Sequence, residues 1–175
     1  MDAIKRALKD MSMGSDKKVA LVTGASALQG TALIKKLVAL DDWDHIYAIA
    51  RRDIPIHSKK ITRIHLDLDN KQEIQHKLSS ANAKSVTNVF HLAFGGDTSN
   101  LDMSTAVWMQ NVVEALEAAG APLKHVYFTQ GTKYYGVHLG EPDIAATPFK
   151  DEPLMIHRHF PPNFYYQQAS LPPRT

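Results

Sequence analysis

Cysteine is absent from the 175 residues, which excludes a disulfide framework, a thiolate zinc site and a cysteine nucleophile. No apolar run approaches the length of a membrane span. The first sixteen residues carry Lys5, Arg6 and Lys9 but lack the apolar core of a signal peptide, so residues 1–16 are expected to be a flexible leader and the cytoplasm is the default location. An excess of one charge is missing too. Twenty Lys and Arg against eighteen Asp and Glu leave a net charge of +2, and the charges are interspersed, unlike the basic footprint of a nucleic-acid binder. Repeats and low-complexity tracts are also lacking. His157 and His159 place two imidazoles at i and i+2 with no convergent third ligand, so no metal site is expected. What is present is ordinary for a globular protein: 44% apolar and 22% charged residues, in a chain long enough for one domain with a real core.

The organising stretch runs from Lys17 to Leu40. Val19-Ala20-Leu21-Val22 is a short unbroken apolar run, as in a strand buried on both faces. After Gly30 the spacing turns helical, with Leu33, Ile34, Leu37, Val38 and Leu40 on one side. Between them lies Thr23-Gly24-Ala25-Ser26-Ala27-Leu28-Gln29-Gly30. Strand, glycine turn and helix in that order gather free backbone N–H groups and the positive end of a helix dipole at one point, a site for a pyrophosphate. The spacing Gly24-x-x-Ala27-x-x-Gly30 lacks the middle glycine of the dinucleotide fingerprint. The Ala27 methyl stands where phosphates must approach. Packing of small residues in a plain strand-to-helix turn is the competing reading.

Further strands are expected at His45–Ala50, Ile61–Leu66, Val86–Ala93 and His125–Thr129. Helices are expected from about Lys71 to Leu78, with Asn70 as N-cap, and from Leu101 to Ala119, stopped by Gly120 and Pro122. Alternating strands and helices require parallel pairing with right-handed crossovers, hence an α/β doubly wound sheet, a Rossmann fold of order 3-2-1-4-5. Its ligand crevice lies at the switch between strands 1 and 4. From Gly131 the pattern becomes loop, with at most one short helix near Tyr165. The expected division is a leader over 1–16, a nucleotide-binding domain over 17–166 and an irregular tail over 167–175.

That topology gathers the candidate cofactor residues: Thr23, Gly24, Ser26, Ala27, Leu28 and Gln29 from the turn, Arg51 and Arg52 closing strand 2, Asp67 and Leu68 after strand 3, and Ala93 ending strand 4. An acid at the end of strand 2 would hold ribose hydroxyls, whereas arginine pairs with a 2′-phosphate. Two arginines without a carboxylate at that corner favour NADP(H) over NAD(H). Asp67 and Leu68 frame the adenine edge or serve as a simple helix cap. His91 is read as a core histidine at a strand end, Asn111 as a buried amide or a buttress of the site, and Trp43 and Trp108 as packing.

A reductase on this fold needs a phenol at the substrate oxygen and an ammonium near that phenol. No tyrosine here has a lysine four residues on. By spacing alone Lys133 is a surface lysine and Tyr165 an aromatic plug. The stretches Val22-Thr23-Gly24, Ala50-Arg51-Arg52, Leu123-Lys124-His125-Val126, Gln130-Gly131-Thr132-Lys133-Tyr134-Tyr135 and Pro162-Asn163-Phe164-Tyr165-Tyr166 nevertheless resemble the short-chain dehydrogenase/reductase superfamily. The similarity is to the progesterone-5β-reductase/iridoid synthase-like enzymes and their fungal relatives. In that group the catalytic lysine lies in the loop after strand 5. The resemblance implies that Lys133 is the catalytic lysine and Tyr165 the catalytic tyrosine. It implies hydride addition from NADPH to an enone or related carbonyl substrate in secondary metabolism, with Tyr165 at the enolate oxygen.

The chain departs from that group at Ala27 and after Tyr166, where Gln167-Gln168-Ala169-Ser170-Leu171-Pro172-Pro173 replaces an acidic helix. Relative to the group it lacks the later strands and the substrate-covering region. Strand 5, with Val126, Tyr127 and Phe128, would then be an uncovered apolar edge that invites pairing with a second copy. The alternative function is an inactive NADP(H)-binding remnant or sensing module. A sugar-nucleotide epimerase-like protein is disfavoured by the missing Tyr-x-x-x-Lys.

Overall fold

The computed structural model describes residues 17–95, 103–135, 137 and 163–170. Strands β1 (Lys18–Thr23), β2 (Trp43–Ala50), β3 (Ile61–His65), β4 (Asn88–His91) and β5 (His125–Phe128) form one sheet. Its order is β3-β2-β1-β4-β5, and every pair is parallel. Helices α1 (Leu28–Ala39), α2 (Lys71–Ser80), α3 (Ser104–Ala118) and α4 (Phe164–Ser170) accompany it. The doubly wound order expected from the sequence is the observed one.

The unbroken apolar run of β1 has a simple cause. Val19 and Leu21 join the core with Ile74 and Leu78 of α2 and Val112 and Leu116 of α3. Ala20 and Val22 point the other way, into the core with Ile34 and Leu37 of α1. A strand covered on both faces has no side for polar residues. β2 divides likewise, with Tyr47 and Ile49 in the first core and Ile46 and Ala48 in the second.

Local chemistry sets the helix ends. Asn70 caps α2 as expected, its Oδ1 accepting from the Glu73 amide at 3.0 Å, a bond worth about 1 kcal/mol. Past the end of α1, the Lys60 ammonium donates to the carbonyls of Val38 (3.2 Å) and Leu40 (2.8 Å), answering acceptors that a helix end leaves open. Gly120, at φ +75°, ends the run after α3.

Several boundaries differ from expectation: β2 starts at Trp43 rather than His45, and α2 runs on to Ser80. α1 begins at Leu28, before Gly30 rather than after it, because Gly30 packs against the turn from inside the helix. α4 continues to Ser170, so residues 167–170 are helical and not the start of an irregular tail; Gln167, Gln168 and Ala169 all tolerate a helix, and Pro172 lies beyond it. β4 occupies only Asn88–His91 of the eight-residue run, although the Thr87 amide just before it donates to the Val19 carbonyl and its carbonyl accepts from the Lys124 amide. β5 is the outermost strand among the described residues. Its Tyr127 is 46% exposed while its ring stacks on Phe90 with centroids 4.8 Å apart. The leader, the His157/His159 pair and residues 171–175 lie outside the described residues. Among the described residues no helix is long and apolar enough to cross a membrane.

Candidate active site

Parallel pairing puts the ends of all five strands on one side of the sheet, and the crevice opens where β1 gives way to α1. Gly24 has φ +66° there, and a Cβ on it would come within 2.7 Å of the Leu92 carbonyl carbon and oxygen. A Cβ on Gly30 would come within 2.3 Å of the Gly24 carbonyl oxygen. Both positions therefore require glycine, one for the turn and one for seating the helix on it. Ala27 is the N-cap of α1 and makes no side-chain cap bond, and the first helical turn has no acidic residue. The opening amides of α1 are thus left to a ligand, in the positive field of the helix end.

Beside this turn lies a cavity of about 180 Å³. Gly24, Ser26 and Ala27 border it from the turn, and Arg51, Arg52, Asp67, Leu68 and Ala93 border it from the strand ends. Eight of the eleven expected cofactor residues therefore meet in one place. Gln29 instead lines a second cavity, of about 290 Å³. The two share Leu92, Ala93 and Phe94 as a wall, so they are neighbouring parts of one crevice. Leu28, 88% exposed, borders neither. Thr23 is fully buried and holds the backbone together: its Oγ1 accepts from the amides of Leu92 and Ala93, both at 3.2 Å.

The arginine corner corrects one sequence expectation. It is not free of carboxylates, because β3 runs parallel to β2 and brings Asp67 alongside. Arg51 Nη1 is 3.7 Å from Asp67 Oδ2, with both side chains largely solvated, a weak pair. Asp67 Oδ1 also accepts from the Asp69 amide at 3.3 Å. Arg52 lines the same cavity and carries no hydrogen bond or ion pair among the described residues.

The second cavity contains Tyr165. α4 has seven residues, too few to persist alone, and is held by what it buries. Phe164 (2% exposed), Tyr165 and Tyr134 pack with Ala106 of α3; burying Phe164 alone contributes about 2–3 kcal/mol. Asn163 Nδ2 donates to the Lys133 carbonyl at 3.1 Å, and Tyr166 Oη donates to the Tyr134 carbonyl at 2.7 Å. These contacts fasten α4 to the 3₁₀ turn Thr132–Tyr135 that follows β5. The Tyr165 hydroxyl consequently lies against Gly131, where a Cβ would be 3.0 Å from it. Burial pushes the Tyr165 phenol up from its usual range, opposed by a backbone hydrogen bond with Gly131. The phenol holds its proton at neutral pH. Lys133 belongs to the adjacent turn and is half-buried, and it lines neither cavity.

Several cavity residues escaped the sequence reading. Trp108 and Phe94 line the first cavity; Trp108 also donates from Nε1 to Asp69 Oδ1 at 2.7 Å, so it does more than pack. His91, Thr105, Gln130 and Gln168 line the second. A buried histidine ending the strand at the switch point was the one signal available. Trp108, Thr105 and Gln168 come from helices, and Phe94 and Gln130 from the loops after β4 and β5, so their depth in the crevice depends on packing. Asn111 is buried in α3 and borders neither cavity. Trp43 packs in the α1-side core. Among the described residues no three His, Asp or Glu side chains gather in a way that could hold a metal ion.

The model of the NAD dependent epimerase/dehydratase family matches residues 20–168. An uncharacterized protein of Schizosaccharomyces pombe is 31% identical over 166 residues, covering 91% of this chain and 40% of that protein. A 3-oxo-Delta(4,5)-steroid 5-beta-reductase of Arabidopsis thaliana is 28% identical over 179 residues, covering 97% of this chain and 45% of that enzyme. The chain spans less than half the length of these curated relatives. Among solved structures, the Bordetella bronchiseptica enzyme WbmG in complex with NAD and UDP superposes with a TM-score of 0.57 at 20% identity, over 76% of this chain and 42% of that one.

Proposed function

This chain belongs to the NAD dependent epimerase/dehydratase family, within the short-chain dehydrogenases/reductases, and on that premise we propose that it is an NADPH-dependent reductase of an enone or related carbonyl compound, in secondary metabolism. The cofactor's chemistry when bound is hydride donation. The residues present suit it. Gly24 and Gly30 let the turn close on Leu92 and the helix seat on the turn, where any Cβ would clash with backbone, and the opening amides of α1 suit a pyrophosphate. Arg52 suits the 2′-phosphate that distinguishes NADPH.

The observation that carries the reading is that the Tyr165 phenol shares its cavity wall with the nucleotide cavity. A phenol that keeps its proton can donate to a substrate oxygen as negative charge builds there. Lys133, in the same fastened turn, is the residue this reading would use for the positive charge that the oxygen needs. The substrate enters from the Phe94 side, where that ring is 53% exposed and meets Phe164 edge-on.

The test is NADPH oxidation with a small enone by the wild type, Tyr165→Phe and Lys133→Ala. Tyr165→Phe should lower kcat by about 10²- to 10⁴-fold and leave NADPH affinity unchanged. Equal rates in wild type and variant would refute the role of the phenol. A second reading, an NADP(H)-binding module without turnover, is favoured by Lys133 lining neither cavity. It predicts NADPH binding that weakens in Arg52→Ala with no oxidation by any of the three proteins.

A further inference from the structure

Among the described residues the sheet ends in β3 on one side and β5 on the other, and the two edges are protected unequally. An outer strand presents a row of backbone groups that a further strand can pair with, and charge is a common guard against such pairing. β3 has that guard. Arg63 lies within it, its guanidinium donating to the Ile56 carbonyl, and Lys59 and Lys60 lead into it. β5 has none: from His125 through Gln130 the chain carries no Asp, Glu, Lys, Arg or Pro.

The backbone of β5 and its side chains both say how a partner strand must lie. The His125 amide donates inward to the Thr87 carbonyl, so by alternation the amides and carbonyls of Val126 and Phe128 face outward. Neither residue makes a backbone bond beyond the sheet among the described residues. Val126 packs on the core beneath α2 and α3. Tyr127 lies on the opposite face, its ring stacked on Phe90 and half exposed. α4 and the turn after β5 pack with Ala106 of α3 and do not cover that ring.

A second copy of β5 satisfies both patterns. A two-fold axis normal to the sheet makes the two strands antiparallel and keeps like faces together. With the axis between the two Tyr127 residues, Val126 of each copy exchanges backbone bonds with Phe128 of the other. Moved to Val126, the axis would set Phe128 against Lys124, whose amide is already donated to the Thr87 carbonyl at 2.8 Å. Moved to Phe128, it would call on Gln130, beyond the strand. The register centred on Tyr127 uses only strand residues with open groups, opposes no like charges, and continues the Phe90–Tyr127 stack into the second copy.

We propose that β5 is a homodimer interface, joining two sheets edge to edge with Tyr127 facing Tyr127 across the two-fold axis. The occupant is a second copy of this chain because the strand complements itself in backbone parity, face and charge. One short strand pair is a small interface, so the dimer is weak and follows mass action. It is independent of the reductase reading, and neither needs the other.

Sedimentation equilibrium of the whole chain from about 1 μM to about 1 mM tests the assembly. The mass should climb from 19.5 kDa toward twice that value as concentration rises. Tyr127→Lys and Tyr127→Glu set like charges opposite each other, so each alone should keep the mass of one chain. An equimolar mixture of the two should regain the dimer. Tyr127→Cys supplies the only thiol in the chain, at a position where facing Cβ atoms are about 4.5–5.5 Å apart, close enough to bridge with slight adjustment. Mild oxidation should link it covalently, while Arg63→Cys on the β3 edge stays a single chain. Wild type at the mass of one chain throughout would overturn the proposal with no variant needed. So would a wild-type dimer that Tyr127→Lys leaves intact, the result if another face joins the copies. A mixture that stays monomeric while both variants keep the circular dichroism of wild type would refute the facing tyrosines, and so would failure of Tyr127→Cys to crosslink.

Discussion

The histidine at the end of β4 ties stability to pH in a calculable way. His91 is 2% exposed, and burial lowers its pKa from 6.5 to about 4. In the unfolded chain the same imidazole is solvated and titrates near 6.5. Between those two values the unfolded state binds a proton that the folded state refuses, so stability falls as pH falls through that window. Above pH 6.5 both states are neutral and the effect vanishes. Lowering the pH from 7 to 5 should remove about 2 kcal/mol of folding free energy through this residue alone. His45 has its pKa lowered chiefly by burial and adds loss of the same sign, so wild type alone cannot isolate His91. Urea unfolding of wild type and His91→Gln at pH 7, 6 and 5 can. The variant has no proton to bind at that position, and the gap between the two proteins should shift by about 2 kcal/mol across the series. Parallel profiles would show that the imidazole is solvated or charged in the native protein, and the burial argument would fail.

Three other outcomes test separate parts of the crevice. Gly24→Ala places a methyl within 2.7 Å of the Leu92 carbonyl at a positive φ; backbone on both sides cannot yield, so it should cost about 2–3 kcal/mol in thermal or urea unfolding and abolish dinucleotide binding. Trp108 lines the first cavity, so on the proposed function its fluorescence should change on dinucleotide titration, and Trp108→Phe should lose that signal while Trp43 still emits. The same change breaks the bond to Asp69 and should cost about 1 kcal/mol. Asp67→Asn releases Arg51 from its 3.7 Å pair and should raise NADPH affinity by about 2- to 3-fold with NADH unchanged, whereas Arg52→Ala should weaken NADPH by about tenfold or more.

The nucleotide end of the crevice was legible because it is local. Gly24, Gly30 and the run Val19–Val22 lie within a dozen residues of one another, and each has a backbone reason for its identity. Strand order followed from alternation alone. The arginine corner was half legible: Arg51 and Arg52 could be read from strand 2, but Asp67 reaches them only by the pairing of β3 with β2, which sequence spacing does not show. The Tyr165 end was the least legible. Its walls come from α1, β4 with the residues after it, α3, the turn after β5 and α4, segments lying between residues 29 and 168, and no periodicity links Gln168 to His91. The resemblance located Tyr165 where spacing could not. It also named Lys133, whose side chain the structure does not put on a cavity wall.

Thr23 explains how these two ends act as one device. It immediately precedes Gly24, so its backbone begins the turn proposed to receive phosphates. Its hydroxyl is spent on the Leu92 and Ala93 amides and on His91, in the wall that both cavities share. Phosphate turn and imidazole are therefore fixed to each other through the two central strands, independently of α4. The phenol arrives separately, on a short helix held by Phe164 and by bonds to the turn after β5. On the proposed function, cofactor placement would belong to the β1–β4 pair and the proton donor to the attached segment. On that reading a loss at Tyr165 should be felt in turnover, and a loss at Thr23 in binding.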